Sequence, residues 1–106
     1  MSTLTVQVNP PNAGTVNVRV WTYTSPGPSF NWTGSATSSQ PLNQSWTDLQ
    51  PGSYAITISW KQGYQNIASG TAGNNITYDG QALYYQVLGN PGDANGVSAT
   101  FSVQLT

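Results

Sequence analysis

The chain has 106 residues, of which 5% are charged and 11% aromatic, and its formal net charge is −1. This length suits one domain over residues 1–106, and two cations cannot neutralise the several phosphates that nucleic-acid binding requires. His, Cys and Glu are absent, which removes the side chains most used for general base catalysis, thiolate chemistry and zinc binding. We therefore expect a non-enzymatic protein with no nucleic-acid partner, cofactor or metal.

Uncharged polar residues dominate the composition, since Ser, Thr, Asn and Gln make up 44 of the 106 residues. Four Trp, six Tyr and two Phe favour a folded chain over a disordered one, because disordered chains are poor in aromatic residues. No run approaches the roughly 18 apolar residues of a membrane span, and the amino terminus has no secretory signal. The mature form of an exported protein, a virion protein and a cytoplasmic protein would all look like this, and among them we expect an extracellular or virion-associated protein.

Alternating apolar and polar residues predict short β-strands from the start of the chain. The first strand is predicted in TLTVQVN, residues 3–9, and ends at two prolines, which cannot donate to a strand ladder. In the next strand, residues 15–23, three valines share one face, while Arg19, Trp21 and Tyr23 share the other. That second face mixes a charge with two large rings, so it does not resemble ordinary core.

The middle of the chain contains a long segment without a clear strand, residues 24–41, which is rich in Ser, Pro and Gly. Loops of that length are often functional or mobile. A weak strand is predicted over residues 45–49 and the clearest one over residues 53–60, where large apolar residues alternate with small ones. We expect Trp46 and Trp60 to lie in the core.

Four further segments complete the predicted fold. A short strand at 74–78 leads into an Asp-Gly turn, and the dense apolar run at 81–88 predicts one strand buried on both faces. Residues 89–96 read as a loop, and 98–105 as the closing strand. Strands at this spacing predict an all-β fold, namely a single antiparallel two-sheet sandwich of about seven strands with an Ig-like or related topology; a small barrel is the alternative.

Residues 4 to about 64 contain two motifs, a Pro-containing turn before a Val-rich strand and a later Leu-x-x-Gly-x-Tyr run that ends near a Gly-Tyr pair. With these motifs the segment resembles the PEGA domains and the related transthyretin-like, or carboxypeptidase-regulatory-like, sandwiches. The resemblance implies a sandwich fold and a non-enzymatic accessory or surface module, and it brings no catalytic residues. The matching positions are Pro10, Pro11, Ala13, Val16, Leu49, Gly52, Tyr54, Ile56, Ile58, Gly63 and Tyr64.

Aromatic residues near the long loop form the candidate binding site. Trp21 and Tyr23 lie opposite the valine face, and Phe30, Asn31 and Trp32 follow closely in the chain. Sugar rings stack on exposed aromatic rings, and aromatic residues are also enriched at protein interfaces. These five residues are therefore predicted to bind a glycan or a protein. The alternative is that the rings pack against a second sheet and cover an open end of the core.

Carboxylates offer little for catalysis or metal binding. Asp93 stands in a Gly-rich loop that could suggest calcium, yet one carboxylate is few for a cation that takes six to eight oxygens, so a turn is the better interpretation. Asp48 and Asp79 also adjoin turn residues, where Asp is common.

The opening and closing strands support a second functional class, a self-assembling subunit of a filament, fibre or virion. Neither strand carries a charge, and charged residues are what normally prevent edge strands from pairing with another copy. A homo-oligomer that forms through edge strands is the alternative to the binding module.

Overall fold

A computed structural model describes residues 3–22, 30–61, 65–88 and 96–106, and its regular structure consists of β-strands. The strands are β1 (Leu4–Val8), β2 (Val16–Thr22), β3 (Asn31–Ala36), β4 (Leu42–Trp46), β5 (Gly52–Trp60), β6 (Asn66–Ala68), β7 (Asn75–Tyr78), β8 (Gln81–Leu83), β9 (Gln86–Leu88) and β10 (Val97–Leu105).

All of these strands pair antiparallel. Sheet A has the order β4-β1-β7-β8, sheet B has the order β10-β5-β2-β3, and β6 pairs with β9 in a short ribbon. The inner faces of sheets A and B share one hydrophobic core. The predicted all-β sandwich class is confirmed, although the structure has ten short strands rather than about seven, with the additional ribbon beside the two sheets.

The core follows from the period-two pattern of β1, β2 and β5. Alternate side chains of a strand point to opposite faces, so one apolar residue in every two is enough to cover the inside of a sheet. Trp60 is buried and Trp46 packs against the core, as predicted. The fully buried inner positions of these three strands are Leu4, Val6, Val8, Val16, Val18, Val20, Tyr54, Ile56, Ile58 and Trp60.

The predicted loop at 24–41 is wrong for its second half, which forms β3 and the corner between the two sheets. The inner positions of β3 are Trp32, Gly34 and Ala36, so this strand lacks the alternation of large apolar and polar residues that predicts a strand. A Cβ atom at Gly34 would stand only 2.6 Å from the ring of Trp32. The indole therefore lies across the glycine, and one side chain covers two inner positions.

Four aromatic rings close the side of the sandwich where β3 and β4 meet. The ring centroids of Trp32 and Trp46 are 5.0 Å apart, and the centroid of Phe30 is 5.8 Å from those of both Trp46 and Tyr54. All three pairs are packed edge to face. The Tyr54 hydroxyl donates to the Gln50 carbonyl at 2.7 Å, and burial raises the pKa of Tyr54. We call Phe30, Trp32, Trp46 and Tyr54 the aromatic cluster.

The predicted single strand at 81–88 is also wrong, because the chain leaves sheet A in the middle of it. β8 pairs with β7 in sheet A, whereas β9 pairs with β6 in the ribbon. Between them Tyr84 is 88% exposed, while Tyr85 is buried and its ring stacks on Phe101 at 5.2 Å. The dense apolar run thus reflects a crossing between sheets rather than a strand buried on both faces.

The Tyr85 hydroxyl has no hydrogen-bond partner among the described residues, and burial raises its pKa to about 12. Tyrosines of the unfolded chain ionise near pH 10, so the folded state keeps the Tyr85 proton up to a higher pH than the unfolded state does. Stability should accordingly be unaffected by this group below about pH 10 and fall as the pH rises from about 10 to about 12. We expect Tyr85→Phe to unfold in urea within about 1 kcal/mol of the parent at pH 8 and to lose less stability than the parent at pH 11. Identical losses at pH 11 would mean that Tyr85 does not carry this effect.

The opening and closing strands were both predicted to be edges that could pair with another copy, and the structure makes only the closing strand an edge. β1 lies between β4 and β7, so the opening strand is central in sheet A and cannot act as an edge. β10 pairs with β5 alone among the described strands of sheet B, so the closing strand is an edge.

Two buried amide side chains hold the segment that follows β1. Asn74 accepts a hydrogen bond from the Asn9 backbone N–H at 2.7 Å and donates to the Asn9 carbonyl at 3.1 Å. Gln65 accepts from the Asn12 N–H and donates to the carbonyls of Asn12 and Ala13, each at 3.1 Å. Both amides thus pair with the backbone as a strand would, across a stretch whose prolines cannot complete a ladder. We call Gln65 and Asn74 the amide clamp.

Candidate functional site

The outer face of sheet B carries three cross-strand rows of side chains, each with one residue from β10, β5, β2 and β3. Pairing registers fix these rows, and nine of the twelve residues are Ser, Thr or Asn. The rows are Ser98, Ser59, Asn17 and Ser35; Thr100, Thr57, Arg19 and Thr33; and Ser102, Ala55, Trp21 and Asn31.

Arg19 and Trp21 form the centre of this face. They are two residues apart on β2, so their side chains share one side of the strand. The guanidinium carbon of Arg19 stands 4.4 Å from the centre of the Trp21 ring, which is a cation–π contact. The Arg19 Nε–H also donates to Asn31 Oδ1 at 2.8 Å. The guanidinium is thus fixed by the ring on one side and by the amide at its inner nitrogen.

Hydroxyl groups fix the ring of Trp21 from the other side. Its indole N–H donates to Thr57 Oγ1 on β5 at 3.3 Å, and the Thr57 and Thr100 hydroxyls are 2.9 Å apart. Contacts therefore run without a break from Thr100 on β10 to Asn31 on β3, across all four strands. Side chains held in this way lose little conformational entropy when a ligand binds. We call Thr100, Thr57, Trp21, Arg19 and Asn31 the cross-strand network.

Two shallow depressions adjoin the network. One, of about 460 Å³, is lined by Arg19 together with Asn17, Thr33, Ser35 and Ser59. The other, of about 260 Å³, is lined by Trp21 with Ala55, Thr100, Phe101 and Ser102. Ala55 stands opposite Trp21 in the register, and its small side chain leaves the space beside the ring. The first depression presents hydroxyl and amide groups beside the Arg19 guanidinium, and the second presents hydroxyl groups beside the Trp21 ring.

The outer face of sheet A is polar as well, but it lacks these features. Its paired positions on β4, β1, β7 and β8 include no aromatic and no charged residue. The difference between the two faces marks sheet B as the candidate site. The outward residues of sheet A are Asn43, Ser45, Thr5, Gln7, Asn75, Thr77 and Ala82.

The structure divides the four described members of the predicted site between the outer face of sheet B and the core. Trp21 and Asn31 lie on the outer face and are joined through Arg19. Phe30 and Trp32 instead belong to the aromatic cluster, so they cover the open side of the core, as the alternative interpretation expected. Tyr23 lies outside the described residues. The single continuous patch that the sequence predicts is therefore not formed by the described members of the set.

Three network residues were missing from the sequence-based site. Arg19 could have been found from its position alone, because it shares a face with Trp21 by simple alternation. Thr57 and Thr100 could not, since only the pairing of β5 with β2 and β10 brings them to Trp21.

Carboxylates are sparse in the described part of the chain. No group of three His, Cys, Asp or Glu side chains that could hold a metal occurs there. Asp79 lies in the β7–β8 turn with φ of 51°, where its carboxylate accepts from the Thr3 N–H at 2.7 Å, and Asp48 lies between β4 and β5. Asp93 lies outside the described residues. Nor do those residues include a helix with the length and apolarity of a membrane span.

Comparison with known proteins identifies no relative. No protein-family model matches the chain, and no curated protein or solved structure is significantly similar to it. The resemblance of residues 4–64 to PEGA-like sandwiches stays a prediction, and Gly63 and Tyr64 of that motif lie outside the described residues.

Proposed function

We propose that this protein is a non-catalytic surface module that binds a glycan on the outer face of sheet B. The observation that supports the proposal is the cross-strand network, in which one fixed aromatic ring stands among hydroxyl and amide groups. Sugars are recognised by this combination, because C–H faces stack on rings while hydroxyls exchange hydrogen bonds with polar side chains. An extracellular or virion-associated location accompanies the proposal, since glycans are displayed at cell surfaces.

A glycan fits this face better than a protein partner does. Protein interfaces bury a central apolar patch, usually with several aromatic anchors. The described outer face of sheet B offers a single aromatic ring, Trp21, and the strongly exposed large apolar residues, Tyr84 and Leu88, belong to the β8–β9 region instead. The composition of the chain, with no His, Cys or Glu, supports binding rather than catalysis.

Replacement of Trp21 by Ala tests the proposal. Screening of the parent on an array of neutral and acidic glycans should give a set of retained ligands. Trp21→Ala should bind these ligands with an affinity that is lower by about tenfold or more, because it loses both the stacking surface and the ring contact that fixes the Arg19 guanidinium. Tyr84→Ala is the matched control, since it also removes an aromatic ring but from outside the face. Loss of binding in both variants, or in neither, would contradict the proposed site.

Self-assembly is a second candidate function, which the edge strand β10 supports. This strand is an edge of nine residues with no charge and no proline, so it lacks the usual protection against pairing with another copy. Sedimentation of the parent over a hundredfold range of concentration separates the two functions. A constant monomer mass supports the binding module, and a mass that grows with concentration supports assembly.

A further inference from the structure

The few charges of this chain are unevenly placed. The sequence contains two cations: Arg19 lies on the outer face of sheet B, and Lys61 lines a depression beside that face. Lys61 directly follows β5 with the same parity as Thr57 and Ser59, and it lines a third depression of about 220 Å³. The two described carboxylates, Asp48 and Asp79, lie in connections that begin at strands of sheet A. A chain of net negative charge thus presents its positive groups on and beside the proposed binding face.

The guanidinium of Arg19 is arranged to receive an anion. Both of its described partners, the Asn31 amide and the Trp21 ring, are neutral, so neither offsets its charge. Asn31 engages Nε, which leaves the edge formed by the two terminal nitrogens for a ligand. That edge binds carboxylates and sulfates with two parallel hydrogen bonds, which are about twice as strong as neutral ones.

The depressions that flank Arg19 and Lys61 are adjacent. Asn17 and Ser59 line both of them, so a ligand that lies along β2 and β5 can contact the two cations at once. Lys61 stands four positions after Thr57, the β5 partner of Arg19, so strand geometry places the Cα atoms of Arg19 and Lys61 about 14 Å apart. This separation exceeds the Debye length of about 8 Å at physiological salt, so each cation acts on its own part of the ligand.

We propose that the glycan bound by this face is anionic, a saccharide whose carboxylate or sulfate ester pairs with Arg19 while a second acidic sugar approaches Lys61. This inference rests on the proposed function and adds the chemical class of the ligand. Arg19 is the anchor, since it alone combines the bidentate edge with a fixed position. Lys61, an exposed point charge, contributes less and mainly adds salt dependence.

The test compares matched probes that differ only in charge. Oligogalacturonic acid is measured against its methyl ester, and lactose sulfate against lactose, which separates carboxylate from sulfate recognition. The parent should prefer the acidic member of at least one pair by about tenfold or more, and Arg19→Gln should remove that preference. Arg19→Lys, which keeps the charge but not the fork, should recover only part of it.

Lys61→Gln is the control for net charge, because it removes one positive charge just as Arg19→Gln does, and it should weaken acidic binding less. Equal losses in the two variants would overturn Arg19 as the anchor. Equal binding of neutral and acidic probes, abolished by Trp21→Ala, would overturn the anionic ligand and leave the glycan module in place. Absence of binding to every array glycan and to all four probes would overturn both proposals.

Discussion

A chain in which Phe30 and Trp32 are both replaced by Ala should lose about 4–6 kcal/mol of stability. Both rings pack against the core and against Trp46, so their removal leaves the side of the sandwich open between β3 and β4. Replacement of a completely buried Phe or Trp by Ala costs about 3–5 kcal/mol of stability, and the loss is smaller for each of these two rings because they are partly exposed. Domains of this kind have about 5–15 kcal/mol in total, so the variant should be close to unfolded at 37 °C. Urea unfolding followed by Trp fluorescence and circular dichroism measures the loss.

Trp21→Ala is the matched control for the double variant, since it also removes a large ring from sheet B. Trp21 lies on the outer face and contacts a hydroxyl and a guanidinium, and its removal should cost only about 1 kcal/mol. Stability of the Phe30→Ala/Trp32→Ala chain within 1 kcal/mol of the parent would show that these rings do not close the core. In that case they would again be candidates for the binding surface.

Removal of the amide clamp should produce the second large effect. Gln65→Met keeps the length of the side chain but removes three hydrogen bonds in a part-buried site, one from the Asn12 N–H and one each to the carbonyls of Asn12 and Ala13. Loss of a part-buried hydrogen bond costs about 0.5–1.5 kcal/mol, so we expect the variant to lose about 2–3 kcal/mol of stability. Asn74→Ala should lose a similar amount, because Asn9 then loses both of its backbone hydrogen bonds to the side chain. Urea midpoints at constant m-value give the comparison.

The same substitution at an exposed glutamine separates hydrogen bonding from packing. Gln104 is exposed and accepts one surface hydrogen bond from Ser53, so Gln104→Met should change stability by less than about 0.5 kcal/mol. If Gln65→Met were as mild as Gln104→Met, the clamp would be a consequence of the fold rather than one of its supports.

Sequence reasoning succeeded where local pattern alone decides the structure. In β1, β2 and β5 the inner positions are occupied by aliphatic or aromatic side chains, except for Gly52 and Thr22 at strand ends, so alternation was sufficient. The outward position of Trp21 followed from the same parity. These features need no knowledge of which strands pair.

The failures have a common physical cause, which is dependence on contacts between distant segments. β3 was missed because Gly34 occupies an inner position that the ring of Trp32 covers. Trp32, which was predicted as a binding residue with core packing as the alternative, lies against the core and shares the inner face of β3 with Gly34 and Ala36. The break between β8 and β9 accompanies the stacking of Tyr85 on Phe101. The cross-strand network depends on the contact of Trp21 with Thr57 and of Thr57 with Thr100. These partners are far apart in the chain, so the local sequence pattern does not reveal their contacts.

The indole N–H signals of the four Trp residues test the binding face most directly. In a ¹⁵N-correlated spectrum each indole gives one signal, and Trp21 is the member placed on the outer face, whereas Trp32, Trp46 and Trp60 lie in or against the core. Titration with a glycan retained on the array should shift the Trp21 signal, assigned from its absence in Trp21→Ala, and leave the other three in place. Movement of the Trp32 or Trp46 signal while that of Trp21 stays fixed would contradict the assignment of the outer face of sheet B as the binding site.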